Sequence, residues 1–103
     1  MAGQIHNIAG YRFVNLEGRD ELQTYYRSVC DDLGLKGTIL LAPEGINFFI
    51  AGTERSVEGF VEHLERDERF TAIPLKRSFT DYQPFNRMNV RKKNEIISVG
   101  MED

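Results

Sequence analysis

The sequence has few of the residues that cross-link a chain or carry it through a membrane. It holds one cysteine, three prolines and no tryptophan in 103 residues. A single cysteine cannot build an internal disulfide framework, and it is typical of a protein in a reducing compartment. No apolar run approaches the roughly 20 residues of a membrane-spanning helix, and the N-terminus has no hydrophobic signal segment. These absences argue against the disulfide-rich secreted and membrane-spanning classes and predict a soluble cytoplasmic domain.

Metal and nucleophile chemistry also have little support. His6 and His63 lie far apart, and no cysteine or histidine stands at ligand spacing from either, so no metal site is predicted. Cys30 follows Val29 near the apolar stripe of a predicted helix, without the basic neighbours that lower a thiol pKa. We therefore predict a buried structural thiol, no catalytic residue and no bound cofactor.

Charge is distributed unevenly along the chain, although the net charge is only −3. Residues 1–75 hold seven Lys/Arg and twelve Asp/Glu, a balance of −5. Residues 76–93 hold six Lys/Arg against one aspartate, a balance of +5, and the last ten residues return −3. The acidic total argues against nucleic acid as a partner, but the basic segment keeps that partner possible.

Residue periodicity predicts two helices and five extended segments. Asp20 is a candidate N-cap with Gln23 as its capping-box partner, Gly34 is a candidate left-handed C′ residue, and Thr53 is a second candidate N-cap. The segment 43–45 is Pro-Glu-Gly, which predicts a tight hairpin. The predicted elements are a strand at 11–16, a helix at 20–33, strands at 37–42 and 46–51, a helix at 54–66, a strand at 73–80 and an extended segment at 88–99.

This order predicts one domain over residues 1–103, of the α+β class. Two helices separated by a hairpin and flanked by strands suit a ferredoxin-like βαββαβ sandwich, with both helices on one face of an antiparallel sheet. The last extended segment would add a further C-terminal strand to that sheet.

The hairpin is the first candidate functional feature. Glu44 and Asn47 would present polar groups at its mouth, although turn chemistry alone also accounts for the string. Strand alternation places Phe48 and Phe49 on opposite faces, so one of the two rings must lie on the face away from the helices. An aromatic side chain on an open sheet face can stack on a base or dock a neighbouring domain.

The last extended segment is the second candidate. If Arg87, Asn89, Arg91 and Lys93 alternate onto one side, they form a basic ladder suited to phosphate contacts. The same charges would also serve to solubilise and protect an edge strand. Both interpretations remain open at this point.

Two strings carry a family resemblance. Residues 35–47 (LKGTILLAPEGIN) and 83–93 (QPFNRMNVRKK) closely resemble the N-terminal domain of the rhodanese-related tRNA uridine hydroxylases. The resemblance implies an acylphosphatase-like domain that precedes a rhodanese domain with an active-site cysteine. It also implies a whole protein that uses molecular oxygen to form 5-hydroxyuridine at the tRNA wobble position. This chain departs from the family at Phe48-Phe49, usually Gly-Thr, and at Asn86 and Asn89, where relatives tend to carry His and Lys.

Three functional hypotheses follow. The leading one is an accessory domain, in a protein that continues past Asp103, which positions tRNA or the rhodanese domain. Its contact residues would be Glu44, Asn47, Arg87, Arg91 and Lys93. A free-standing acylphosphatase-like hydrolase is the second, with only Arg19 and Asn47 available for its phosphate site. The third is a structural interaction module without RNA contact.

Overall fold

The structure is a computed structural model that describes residues 4–93. It contains five strands, two α-helices and one 3₁₀ turn. In chain order these are β1 (Ile5–Phe13), α1 (Arg19–Leu33), β2 (Lys36–Ala42), β3 (Gly45–Gly52), α2 (Glu54–Glu65), the 3₁₀ turn (Glu68–Phe70), β4 (Lys76–Thr80) and β5 (Met88–Lys92). The predicted extension of the last strand over residues 94–99 lies outside the described residues.

The strands form one sheet in the order β4-β1-β3-β2-β5. The first four strands pair antiparallel, and β5 pairs parallel to β2 at the edge of the sheet. The 4-1-3-2 order with both helices on one face confirms the predicted ferredoxin-like α+β fold, and β5 is the additional strand. The sheet is therefore mixed, because β5 continues in the same direction as its neighbour.

The core lies between the helices and one face of the sheet. Phe48 of β3 is 1% exposed, and its ring centroid lies 5.4 Å from that of Phe60 on α2. Tyr26 of α1 packs against Phe60 and Phe70 in the same cluster. Among residues 4–93, neither helix is long and apolar enough to cross a membrane.

The predicted hairpin is confirmed. Pro43 and Glu44 form a two-residue turn, after which Gly45 pairs with Ala42 in the first register position. Gly45 has a φ of 156°, and a Cβ atom there would lie 2.1 Å from the carbonyl oxygen of Arg12. Only glycine permits this close approach of β3 to β1, so the turn and the central strand pairing depend on the same residue.

The first strand differs from the predicted one in both of its ends. It spans Ile5–Phe13 instead of 11–16, because residues 6–13 pair with β3 and residues 5–9 pair with β4. The polar and small residues at its start have weak strand propensity, and this central position in the sheet overrides that propensity. Beyond the strand, the amides of Val14 and Leu16 donate to the carbonyls of Glu44 and Pro43, at 2.9 Å each.

The predicted N-cap of α1 was also wrong. The helix begins at Arg19, after Gly18 in the left-handed conformation, and no side chain caps it. Both predicted capping residues instead contact β5: Asp20 pairs with the ammonium of Lys92, and Gln23 Nε2 donates to the carbonyl of Val90 at 2.8 Å. The side chains of the predicted capping box therefore bind β5 and do not cap the helix.

Two predicted helix caps agree with the structure, and one predicted strand boundary does not. Gly34 follows α1 with a φ of 69°, and the Thr53 hydroxyl accepts from the Ser56 amide at 3.1 Å, so both predicted caps are confirmed. The predicted strand 73–80 begins only at Lys76. Its start is delayed because Ala72 has a positive φ of 57° and Pro74 has no amide hydrogen to donate.

The prediction of a structural thiol is confirmed. Cys30 is fully buried, and its burial raises the pKa of the thiol to about 12. At pH 8 the native chain should therefore react with a disulfide reagent at least ~100-fold more slowly than the chain unfolded in guanidinium, because the thiolate is both rare and covered. Equal rates in the two states would show that the helix around Cys30 opens readily.

Candidate nucleic-acid interface

The sheet face opposite the helices carries exposed aromatic rings on its two central strands. Alternation from the buried Ile8 and Phe48 directs Tyr11 and Phe13 of β1, and Phe49 of β3, to this open face. Their exposed fractions are 43%, 55% and 49%. The prediction that one of the two adjacent phenylalanines faces away from the helices is therefore confirmed for Phe49.

Strand register brings two of the predicted site residues into one row with an aromatic ring. Tyr11 is opposite Asn47, Asn47 is opposite Leu40, and Leu40 is opposite Arg91. The row runs across β1, β3, β2 and β5 on the open face. Asn47 is partly buried and Arg91 is exposed, so an amide and a guanidinium accompany the ring.

Two members of the predicted basic ladder, Asn89 and Arg91, lie on β5 itself. Met88 and Val90 are buried beneath the helices, so Asn89 and Arg91 lie on the open side. Lys92 faces α1 instead, where it pairs with Asp20. Arg87 before the strand and Lys93 after it are exposed, with backbone groups that bond to β2.

The two faces of the domain differ in charge. Helices α1 and α2 together hold eight carboxylates and three arginines, a balance of −5. The open-face strand positions hold cations and no carboxylate. These cations are Lys36, Lys76 and Arg91. Two cations of 76–93 that face the helices, Arg77 and Lys92, form ion pairs there with Glu58 and Asp20.

Residues 81–87 form a structural feature that the sequence pattern did not predict. They carry the chain from the β4 edge of the sheet to the β5 edge, on the open side. The Phe85 ring lies 5.1 Å from the Phe49 ring at 78°, and Gln83 Nε2 donates to the Ala51 carbonyl at 3.1 Å. Asn7 and Ala51, which share this end of the open face, are buried. The loop therefore covers the end of the open face that holds Asn7 and Ala51, whereas Tyr11, Arg91 and about half of the Phe49 side chain stay exposed.

Glu44 lies apart from that row, exposed in the turn between β2 and β3. Its carbonyl accepts the Val14 amide, which ties the turn to the segment that leaves β1. Glu44 therefore lies in the turn at one end of the sheet.

The segment between β1 and α1 is where an acylphosphatase-like site would require free amides around a phosphate. Here the amides of Val14 and Leu16 already donate to hairpin carbonyls. Arg19 donates to the Lys93 carbonyl at 3.4 Å, whereas Asn47 lies on the open face of β3. The segment also carries the carboxylate of Glu17, which opposes an anion. In the part of the chain that the structure describes, no group of three or more His, Cys, Asp or Glu side chains converges on a metal position.

Relatives of this chain have names that refer to tRNA modification. A protein named tRNA uridine(34) hydroxylase from Cupriavidus pinatubonensis is 54% identical over 96 residues, which cover 93% of this chain and 34% of that protein. A protein of the same name from Burkholderia thailandensis is 47% identical over 97 residues, covering 90% of this chain and 33% of that protein. The chain thus spans about a third of the length of these curated relatives.

Solved structures share the fold at low identity. The BLUF protein BlrB in its dark state has a TM-score of 0.71 and 14% identity, covering 89% of this chain and 75% of that one. The acylphosphatase from Bacillus subtilis has a TM-score of 0.57 and 13% identity, covering 84% of this chain and 97% of that one. At these identities the likeness concerns the fold alone.

The family itself is identified by a match over almost the whole chain. Residues 5–96 match the UPF0176 acylphosphatase-like domain. This span includes both helices and all five strands, together with the aromatic and basic positions of the open face. The chain therefore belongs to the UPF0176 acylphosphatase-like domain family.

Proposed function

We propose that this chain is the accessory N-terminal domain of a cytoplasmic tRNA uridine(34) hydroxylase, and that its open sheet face binds tRNA. The relatives with that name support the substrate, and they match this chain over their N-terminal third only. The chemistry of uridine hydroxylation then belongs to the rest of the enzyme, for which the sequence resemblance implies a rhodanese domain. This domain contributes affinity and orientation.

One observation carries the RNA half of the proposal. The Tyr11–Asn47–Leu40–Arg91 row places a ring, an amide and a cation on one exposed face that has no carboxylate at its strand positions. Phosphate contacts supply most of the affinity of a nucleic-acid interface, and they require cations that are not already neutralised. Within residues 4–93, Arg87, Arg91 and Lys93 form no ion pair, unlike Arg77 and Lys92. These three side chains are the proposed phosphate contacts.

The arrangement favours binding over acyl phosphate hydrolysis. Two amides of the segment after β1 donate to carbonyls of the hairpin and are not available to a phosphate. Arg19 donates to the Lys93 carbonyl at the β5 edge and does not lie beside Asn47. We accordingly assign Glu44 a structural role through its carbonyl, which accepts the Val14 amide.

A salt titration of the chain with tRNA tests the proposal. The dissociation constant, measured by fluorescence anisotropy, should rise steeply as the salt concentration increases from about 20 to 200 mM. Three phosphate contacts predict a slope of log K against log salt of about −2 to −3. A chain that does not bind tRNA even at the lowest salt would remove the RNA half of the proposal, and binding without salt dependence would remove the basic ladder from it.

A further inference from the structure

Exposed aromatic rings on the two central strands define a geometry more specific than a basic surface. Tyr11 of β1 pairs with Asn47 of β3, and Phe49 follows Asn47 by two residues on the same face. Tyr11 and Phe49 are therefore diagonal neighbours across the strand pair. Such neighbours lie about 7–8 Å apart, close to the separation of two successive nucleotides whose bases have unstacked.

The residues around the two rings leave more than two fifths of each side chain exposed. Phe49 is opposite Ala9 on β1, and Phe13 is opposite Gly45 on β3, so small residues flank both phenylalanines. About half of the Phe49 side chain remains exposed, although the Phe85 ring touches it. Tyr11 and Phe49 do not contribute to the core, because the core lies on the helix side of the sheet, where Phe48 packs against Phe60.

Polar groups stand where a stacked nucleotide would present its edges and its phosphate. Asn47 lies beside Tyr11 in the row, and Thr38 and Asn89 continue the row of Phe49 toward β5. Arg91 lies at the β5 edge, two positions after Asn89. Stacking rings in the centre, amides beside them and a cation at the rim suit an unpaired strand, whereas a duplex presents its phosphates and hides its base faces.

We propose that Tyr11 and Phe49 are two adjacent base-stacking positions, and that this face takes single-stranded RNA rather than duplex RNA. The inference rests on the proposed function and adds to it the kind of RNA segment and the residues that select it. Sheet platforms that stack bases on aromatic side chains of neighbouring strands recur in RNA-binding domains of other families. Phe13, whose ring lies 5.6 Å from that of Tyr11, extends the platform at the β1 end.

The test compares two RNA probes on the chain and on single variants. The probes are a fluorescent unstructured heptanucleotide, and a blunt RNA duplex with the same sequence in one strand. We expect the heptanucleotide to bind more tightly, and Tyr11→Leu and Phe49→Leu each to weaken it by about 5- to 150-fold. A 2-aminopurine base in the heptanucleotide should lose fluorescence when it stacks on a ring of the chain. The loss should be smaller when the same probe binds either variant.

Phe79→Leu is the matched control, because Phe79 is 57% exposed but stands on the helix side of β4, opposite His6. It should leave both affinities unchanged, and thermal melts should show all three variants folded. Equal affinity for duplex and single strand, or aromatic variants that bind as the chain does, would overturn this inference while the proposed tRNA binding stands. If neither probe nor tRNA binds at low salt, both the inference and the proposed function fall.

Discussion

Replacing Phe48 with alanine should lower the free energy of unfolding by about 3–5 kcal/mol, a large part of the roughly 5–15 kcal/mol of a domain this size. The ring is 1% exposed and packs edge-on against Phe60, so its loss leaves a cavity between β3 and α2. The tip of the Phe48 ring packs over Gly10 on the neighbouring strand, where a Cβ atom would lie only 2.8 Å from the ring. Because glycine has no side chain, it cannot fill the cavity that the lost ring leaves. Urea denaturation followed by circular dichroism measures the change.

The adjacent residue provides the control for this prediction. Phe49→Ala removes the same side chain one position along β3, but from the open face, where 49% of it is exposed. We expect a change of about 1 kcal/mol or less, because about half of the side chain is already exposed to solvent. If the two substitutions destabilised the chain equally, the assignment of faces to β3 would be wrong, and the open platform with it.

Removing two cations from the open face should weaken tRNA binding by about 100-fold or more. Hydrogen bonds to charged groups contribute about 1.5–3 kcal/mol each, and Arg91→Gln with Lys93→Gln removes two such donors. Both side chains are exposed, so the double variant should retain the melting temperature of the chain. The slope of log K against log salt should also become shallower by about 1.5. Adding Arg87→Gln should weaken tRNA binding further and make the slope shallower still.

A variant with the same loss of charge on the helix layer separates local contacts from net charge. Arg55 on α2 and Arg66 after it are exposed cations on that layer. Arg55→Gln with Arg66→Gln should change tRNA affinity by less than about 3-fold, since only long-range attraction is lost. An equal loss in both double variants would mean that tRNA responds to the overall charge of the chain and not to β5.

Much of the fold follows from local patterns in the sequence. The apolar spacing around Tyr26 and Phe60 locates the helices, and Pro43 with Gly45 locates the hairpin, because each signal reflects a short-range conformational preference. Signals that depend on distant partners cannot be interpreted from local sequence alone. Asp20 looks like a cap in isolation, yet it pairs with Lys92, which is 72 residues away in the chain.

The candidate site could be predicted in part. Alternation alone places Arg91 on one side of its strand and separates Phe48 from Phe49. The row that unites Tyr11, Asn47 and Arg91 could not be predicted, because it depends on strand order and on the parallel pairing of β2 with β5. The path of the loop with Phe85 could not be predicted for the same reason. The loop crosses the sheet because β5 pairs with β2, at the edge opposite β4.

The central claim is that tRNA contacts the open face of the sheet, and nuclear magnetic resonance of the isotopically labelled chain tests it most directly. Addition of tRNA at low salt should shift the amide signals of Tyr11, Asn47 and Arg91 and leave those of α2 nearly unchanged. Such a pattern would confirm that the aromatic and basic row is the interface. Shifts confined to α1 and α2, or no shifts at saturating tRNA, would contradict the account.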